Sequence, residues 1–186
     1  MTMKPNFFAL LIVSVVTTMA GCTNPQSTPI AQAAPCENPV TENDVLAAQQ
    51  SWGEAIVAIG KAENPEAEAQ STLDRLYGYD LGTVLFKPTL ASNEPFRGTE
   101  KEALSYFVTG SISEDKGFAL APYNNVRFEN EGIITHCDTA TSMGEYFFTK
   151  ADGSEIKVEY TFGYVRDENG DLKINLHHSS LPYQVK

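Results

Sequence analysis

The chain lacks the sequence signatures of the common cofactor and nucleophile sites. It has no glycine-rich phosphate loop, no Gly-x-Ser-x-Gly turn, no Cys-x-x-Cys pair and no His-Glu-x-x-His helix. Its three histidines are His136, His177 and His178. On a regular strand the two neighbours point to opposite faces and cannot easily share one ion. The sequence therefore predicts no tight zinc site and no metal cofactor.

Basic residues are scarce. There are 13 Lys and Arg against 24 Asp and Glu, which gives a formal net charge of −11, and no basic cluster interrupts the excess of acid. Nucleic-acid affinity comes mainly from neutralising phosphates with cations. The composition therefore predicts that nucleic acid is not a partner.

No apolar run is as long as the roughly 20 residues that a transmembrane helix needs. A shorter apolar run, Phe7 to Val16, follows Lys4 and ends in small residues before Cys22, the order of a secretory signal. Residues 1–21 are thus predicted to be a signal peptide. Residues 18–22 (TMAGC) resemble a bacterial lipobox, with Met where Leu is preferred, and this implies lipidation of Cys22. The alternative is an ordinary signal peptide with an incidental cysteine.

The lipobox resemblance implies an exported lipoprotein on the periplasmic side that touches the membrane through its lipid alone. Residues 22–40 would be the lipidated cysteine and a flexible tether, because proline, Ser, Thr and Gln dominate there. Residues 41–186 would form one domain. Cys36 and Cys137 either form a disulfide or remain two free thiols.

Capping signals predict three helices in the first half of the domain. Thr41 with Asp44 fits a capping pattern, and the helix after it has apolar residues at spacings of three and four. Asn64 followed by proline opens a second helix. Thr99 with Glu102 opens a third.

From residue 126 onward the helical period disappears, and β-branched and aromatic residues dominate. Segment 83–87 is predicted to be a short strand or extended. The later predicted strands are Val126–Glu129, Ile133–His136, Ser142–Thr149, Ile156–Val165 and Leu172–Ser180. Helices followed by antiparallel strands indicate an α+β domain with one curved antiparallel sheet.

Alternation along the last strand predicts which of its polar residues face the core. If the strand is regular, Leu176, His178 and Ser180 share the buried face. His177 and Ser179 then point away from it. Buried His and Ser side chains need partners, so this end of the strand is either a satisfied hydrogen-bond network or a site.

The segment HHSSLP (177–182) resembles the closing strand of the calcium/calmodulin-dependent kinase II association domain, an NTF2-like fold. More closely, four stretches resemble the iota-class carbonic anhydrases. These are WGEAIVAIGK (52–61), GTVLFKPT (82–89), ALSYF (103–107) and VEYTFGY (158–164), the last running on to Tyr183. The resemblance implies an NTF2-like cone, a homodimer and interconversion of carbon dioxide and bicarbonate. Some members of that class are described as metal-free and others as metal-dependent.

The resemblance also implies a pocket of hydroxyls and a histidine. Thr89, after Lys-Pro, and Tyr106, after Leu-Ser, map to family positions, and the closing strand supplies the histidine and serine. The alternation of side chains along the last strand selects His178 and Ser180 as this histidine and serine. His178 would then be the group that moves the proton. Thr83 is a weaker candidate, and apolar neighbours such as Phe162 or Leu176 would hold carbon dioxide.

The alternative is a non-enzymatic binding or assembly module. NTF2-like domains carry many functions on one fold, and some bind small molecules or only assemble into oligomers. A sequence with only the closing-strand match would favour that alternative, whereas the additional matches at 82–89 and 103–107 favour the enzyme.

Overall fold

The computed structural model describes residues 36–185. The helices are α1 (Glu42–Lys61), α2 (Pro65–Leu76) and α3 (Glu100–Val108). The strands are β1 (Leu85–Lys87), β2 (Tyr123–Thr135), β3 (Thr139–Lys150), β4 (Glu155–Arg166) and β5 (Leu172–Ser180). The predicted signal peptide, Cys22 and most of the predicted tether lie outside the described residues. Within them, no helix has the length and apolarity to cross a membrane.

Each helix begins at the cap that the sequence predicts. Thr41 and Asp44 form a complete capping box, as do Thr99 and Glu102. The Asn64 side chain accepts a hydrogen bond from the Ala67 amide at 3.2 Å, with proline next in the chain. These bonds satisfy amides that have no partner inside the helix. Because the caps come from neighbouring residues, the sequence alone predicts where each helix begins.

The apolar face of α1 supplies the centre of the core. Val45, Trp52, Ile56 and Ile59 are fully buried. The Trp52 ring stacks on Tyr146 of β3 at a centroid distance of 5.6 Å. The helical period seen in the sequence is therefore the face that packs on the sheet.

The five strands form one mixed sheet in the order β1-β5-β4-β3-β2. The prediction of an all-antiparallel sheet is wrong at one edge, because β1 pairs with β5 in parallel while the other pairs are antiparallel. A hairpin would force antiparallel pairing, but β1 and β5 are separated by most of the domain. Their relative direction is therefore set by tertiary packing.

The two strands predicted at 126–129 and 133–136 are one strand, β2, with a bulge at Glu131. The register with β3 shifts between Asn130 and Gly132 at this point. Gly144 of β3 lies opposite, and a β-carbon there would lie 2.9 Å from the Asn130 α-carbon. The bulge bends the strand without ending it, so the polar residues between the two predicted strands are part of the ladder.

The register of the sheet defines two rows across it. Phe86, His177 and Phe162 are paired neighbours, are all buried and face the helices. The next row of paired neighbours consists of Lys87, His178 and Thr161, and it lies on the opposite face of the sheet. We call this opposite face the outer face.

Cys36 and Cys137 form a disulfide, with their α-carbons 5.4 Å apart. The Val40 amide also donates to the Cys137 carbonyl at 3.0 Å, and the Val40 side chain is buried. The structure thus selects the bridged alternative and attaches the segment before α1 to the β2–β3 turn.

Candidate active site

A cavity of about 210 Å³ lies between the helices and the end of the sheet where β5 finishes. Most of its wall is apolar or aromatic, and its exposed rim carries Leu90 and Leu181. No Asp, Glu, Lys or Arg is among the described residues that line it. The polar side chains in its wall, apart from the Trp52 indole, are those of Thr89, Tyr106, Tyr123, Tyr146, His177 and Ser179.

Two of the predicted residues lie in this cavity and are held by hydrogen bonds. Thr89 follows β1 and Pro88, and its Oγ1 donates to Ser179 Oγ at 2.9 Å. The Tyr106 hydroxyl, presented by α3, accepts from the Leu90 amide at 3.3 Å. Because Ser179 and Tyr106 accept in these bonds, each hydroxyl keeps its own proton to donate.

His177 is the cavity's histidine, and it is 2 % exposed. Its Nδ1 lies 2.8 Å from the Tyr77 hydroxyl, which also accepts from Trp52 Nε1 at 3.0 Å. The ring stacks on Phe86 at a centroid distance of 4.6 Å. Nε2 is buried and has no protein partner among the described residues.

Burial keeps the titratable groups of the cavity neutral. It lowers the pKa of His177 well below its usual value, and the neighbouring His178 acts in the same direction. Burial also raises the pKa of the Tyr106 and Tyr146 phenols, although the Leu90 amide opposes this at Tyr106 and the Ser179 hydroxyl opposes it at Tyr146. At neutral pH the site therefore offers uncharged hydrogen-bond donors within an apolar wall.

The predicted orientation of His178 and Ser180 is wrong. His178 is exposed on the outer face, and Ser180 donates there to Glu159 at 3.3 Å. The buried pair is His177 and Ser179, at 2 % and 4 % exposure. The proton-moving role assigned to His178 therefore has no support from its position.

A β-bulge at Asn175 is the physical reason. Gly163 of β4 pairs with Leu176, whereas the next residue, Tyr164, pairs with Ile174, so Asn175 is the extra residue. Because side chains alternate with a period of two, one extra residue moves everything after it to the other face. A β-carbon at Gly163 would lie 2.9 Å from both Asn175 Oδ1 and Leu176 Cβ, so glycine makes room for the bulge.

The three predicted substrate-contacting residues lie outside the cavity. Thr83 is exposed before β1 and, with Leu176, lines a groove on the outer face. Segment 83–87, predicted to be a short strand or extended, forms a strand only over the three residues of β1, so Thr83 lies outside it. Phe162 is fully buried behind the cavity wall, with its ring edge-on to His177 at 4.3 Å.

Sequence reasoning missed most of the aromatic residues of the site. Trp52 lies in a stretch that resembles the family and Tyr146 lies in a predicted strand. Neither of these, nor Tyr77 or Tyr123, was predicted as a site residue. A signal for the bulge was present, because a glycine inside a strand of large residues often marks one. Gly163 is such a glycine, but it lies on the strand opposite the one it affects.

The described residues contain no group of three or more His, Cys, Asp or Glu side chains placed to hold a metal ion. His177 is the site's one imidazole, and the neighbours at hydrogen-bonding distance in the cavity are hydroxyls. A zinc site needs nitrogen, sulfur or carboxylate ligands, so these side chains do not fit one.

Comparison with known proteins places the chain in a family. Residues 43–181 match the family described as metal-independent carbonic anhydrase. A metal-independent carbonic anhydrase from Nostoc sp. is 44 % identical over 172 residues, which covers 87 % of this chain and 81 % of that protein.

Solved structures agree with this placement. A cyanobacterial iota-carbonic anhydrase, solved in complex with bicarbonate, is 42 % identical with a TM-score of 0.77 and covers 83 % of this chain and 100 % of its own. A calcium/calmodulin-dependent protein kinase II association domain from Xanthomonas campestris is 24 % identical with a TM-score of 0.50, covers 82 % of this chain and 99 % of its own, and shares the fold. The predicted α+β fold, shared with the calcium/calmodulin-dependent kinase II association domain, is thereby confirmed. This chain belongs to the metal-independent carbonic anhydrase family.

Proposed function

We propose that the cavity interconverts carbon dioxide and bicarbonate without a metal ion, and that Thr89, Tyr106, His177 and Ser179 form its working surface. The observation that carries the proposal is an uncharged, donor-rich cavity in a chain of this family. The related cyanobacterial enzyme was solved with bicarbonate, which supports an oxyanion as the ligand here.

The apolar and the polar side chains of the cavity suit the two substrates. Carbon dioxide is apolar and fits against side chains such as Phe148 and Val158. Bicarbonate carries a negative charge on oxygen and suits the free protons of Tyr106 and Ser179. Donors already in place at the oxygen where charge develops need no reorganisation during reaction, which is the basis of oxyanion stabilisation.

The reaction must begin from water rather than from a bound hydroxide. Bulk water has a pKa of about 15.7, and zinc enzymes lower it to about 7 with the ion's charge. Neutral hydroxyls cannot do this, so their contribution is to hold water and carbon dioxide in reacting geometry. The water oxygen bonds to carbon, one C=O electron pair moves onto oxygen, and the released proton leaves for solvent, with the Ser179–Thr89 hydroxyl pair as a path.

The test is stopped-flow measurement of carbon dioxide hydration by the purified chain. The chain is treated with a chelator, and its zinc and manganese content is measured by elemental analysis. We expect a hydration rate above that of buffer alone, and a rate that does not depend on the content of either metal. A rate proportional to bound metal would reject the metal-free mechanism. Bicarbonate binding with no acceleration would instead favour a non-enzymatic binding module.

We also propose a homodimer that forms through the outer face. Leu85, Phe96 and Met143 are exposed there at 61 %, 66 % and 56 %, on or next to the groove lined by Thr161 and His178. Light scattering on the wild type should give twice the chain mass. Leu85→Glu should give the single mass, whereas Leu46→Glu on α1 should not; a monomeric wild type would contradict the proposal.

Export as a lipoprotein on the periplasmic side remains our proposal as well. The Cys36–Cys137 disulfide supports it, because disulfides persist in oxidising compartments. Cys22→Ser should release the protein from membranes or block its processing. Unchanged membrane association of that variant would reject lipidation at Cys22.

A further inference from the structure

The hydrogen-bond chain from Trp52 through Tyr77 to His177 is not explained by packing alone. We propose that it fixes His177 as the neutral tautomer with its proton on Nε2, so that the ring donates a hydrogen bond to the bound oxyanion and does not act as a base. Tyr77 is then a positioning residue for the reaction. The inference rests on the proposed function only for the identity of the ligand.

Counting protons along the chain selects the tautomer. Trp52 Nε1 can only donate, so the Tyr77 oxygen accepts from it at 3.0 Å. Tyr77 has one proton, and the acceptor within reach among the described residues is His177 Nδ1 at 2.8 Å. Nδ1 must therefore carry a lone pair, which places the ring proton on Nε2.

The opposite tautomer would leave a group unsatisfied. With a proton on Nδ1, the Tyr77 oxygen would accept twice and its own hydroxyl proton would have no acceptor. Tyr77 is 1 % exposed, so water cannot replace the missing partner. An unpaired buried donor is costly, and the observed chain avoids that cost.

Packing holds the ring in one orientation. The imidazole stacks on Phe86 at 4.6 Å and meets Phe162 edge-on at 4.3 Å. Burial also lowers the pKa of His177 well below its usual value, which agrees with a neutral ring. Nε2 is buried without a protein partner, and His177 lines the cavity, so a ligand oxygen there can satisfy it.

The assignment changes the chemistry expected of the histidine. A neutral ring with a proton on Nε2 has no free lone pair for the attacking water. It supplies a third donor beside Tyr106 and Ser179, matching the oxygens of bicarbonate. Holding a catalytic histidine in one tautomer through a buried partner is a known use of such hydrogen bonds.

The decisive measurement is two-bond ¹H–¹⁵N correlation NMR on the full chain labelled at histidine nitrogens. His136→Gln and His178→Gln remove the other two histidine signals in turn and so assign His177. We expect Nδ1 unprotonated and Nε2 protonated at pH 7. A proton on Nδ1, or a cationic ring, would overturn the inference, and this readout needs neither activity nor a change at Tyr77.

Tyr77→Phe tests the positioning role. We expect a mixed or reversed tautomer and a kcat lower by on the order of 10- to 100-fold, by analogy with the hydrogen-bond partners that orient metal-ligating histidines. Tyr79→Phe is the matched control, since its ring stacks on Tyr77 while its hydroxyl donates to the Arg97 carbonyl. Its kcat should change less than about twofold, as for substitutions away from the site.

The outcomes separate the two proposals. A changed tautomer in Tyr77→Phe with an unchanged kcat would refute the positioning role. The expected tautomer in a wild type without turnover would reject the carbonic anhydrase proposal but not the assignment.

Discussion

At the scale of single residues, Ser179 and Ser180 are adjacent hydroxyls on opposite faces of β5. Ser179 is buried beside Thr89 in the cavity, whereas Ser180 is on the outer face. We expect Ser179→Ala to lower the carbon dioxide hydration rate by on the order of 100- to 1000-fold, because it removes a preorganised donor.

Ser180→Ala is the matched control, and its rate should stay within about twofold of wild type, because the site is untouched. Stopped-flow assays of carbon dioxide hydration by the two variants measure this difference. If Ser180→Ala abolishes the rate and Ser179→Ala does not, the cavity described here is not the active site.

The sequence predicted part of this site and missed the rest for identifiable reasons. Thr89 and Tyr106 were placed by family resemblance, and the structure brings both into the cavity. The closing strand was also predicted to supply a histidine and a serine, but the prediction chose His178 and Ser180 where the cavity has His177 and Ser179. The bulge that reverses them depends on Gly163 of a neighbouring strand, so no alternation within β5 could reveal it.

At the scale of elements, a glycine on the partner strand makes room for the bulge at Glu131 and another does so for the bulge at Asn175. A β-carbon at Gly144 would overlap the Glu129 carbonyl oxygen, whereas one at Gly132 would meet nothing within 4 Å. We expect Gly144→Ala to lower the free energy of unfolding by about 1–3 kcal/mol through overpacking. Gly132→Ala should change it by less than about 0.5 kcal/mol. Equal urea midpoints for the two variants would contradict this account.

One carboxylate binds three successive amides of the loop after Thr89. Glu114 accepts from the amides of Ser92, Asn93 and Glu94 at 2.8–3.1 Å. These bonds, led by those of Glu94 and Asn93, lower the pKa of Glu114 to about 2. Because the folded-state pKa is depressed, the stabilisation is complete above the unfolded value near 4.5 and is lost as pH falls towards 2.

Glu114→Gln tests this coupling. The wild type should be more stable than the variant at pH 7, and the difference should shrink between pH 4.5 and 2 as the carboxylate is protonated. Urea unfolding at several pH values measures it. A difference that is constant with pH would show that the carboxylate charge does not hold the loop.

At the scale of the whole molecule, the disulfide links the two ends of a long segment. Cys36 and Cys137 are 101 residues apart in sequence. A native bridge typically contributes about 2–4 kcal/mol, largely by restricting the unfolded chain. We expect the double variant Cys36→Ser, Cys137→Ser to lose roughly that much stability in urea unfolding.

The same double variant should hydrate carbon dioxide at the wild-type rate per folded molecule. The bridge lies at the β2–β3 turn, whereas Phe148, in the cavity wall, is near the opposite end of β3. Loss of activity in a variant that remains folded would show that the bridge shapes the cavity.

The amino-acid sequence by itself determined the starts of the helices, the change from helices to strands and the family. These properties depend on local signals, since Thr41 with Asp44 and Thr99 with Glu102 cap helices using neighbouring residues. Tertiary structure decided the parallel pairing of β1 with β5 and the choice of His177 and Ser179 as cavity residues. Both depend on contacts between one strand and another, because strand direction and bulge position are set by the partner that completes the hydrogen bonds.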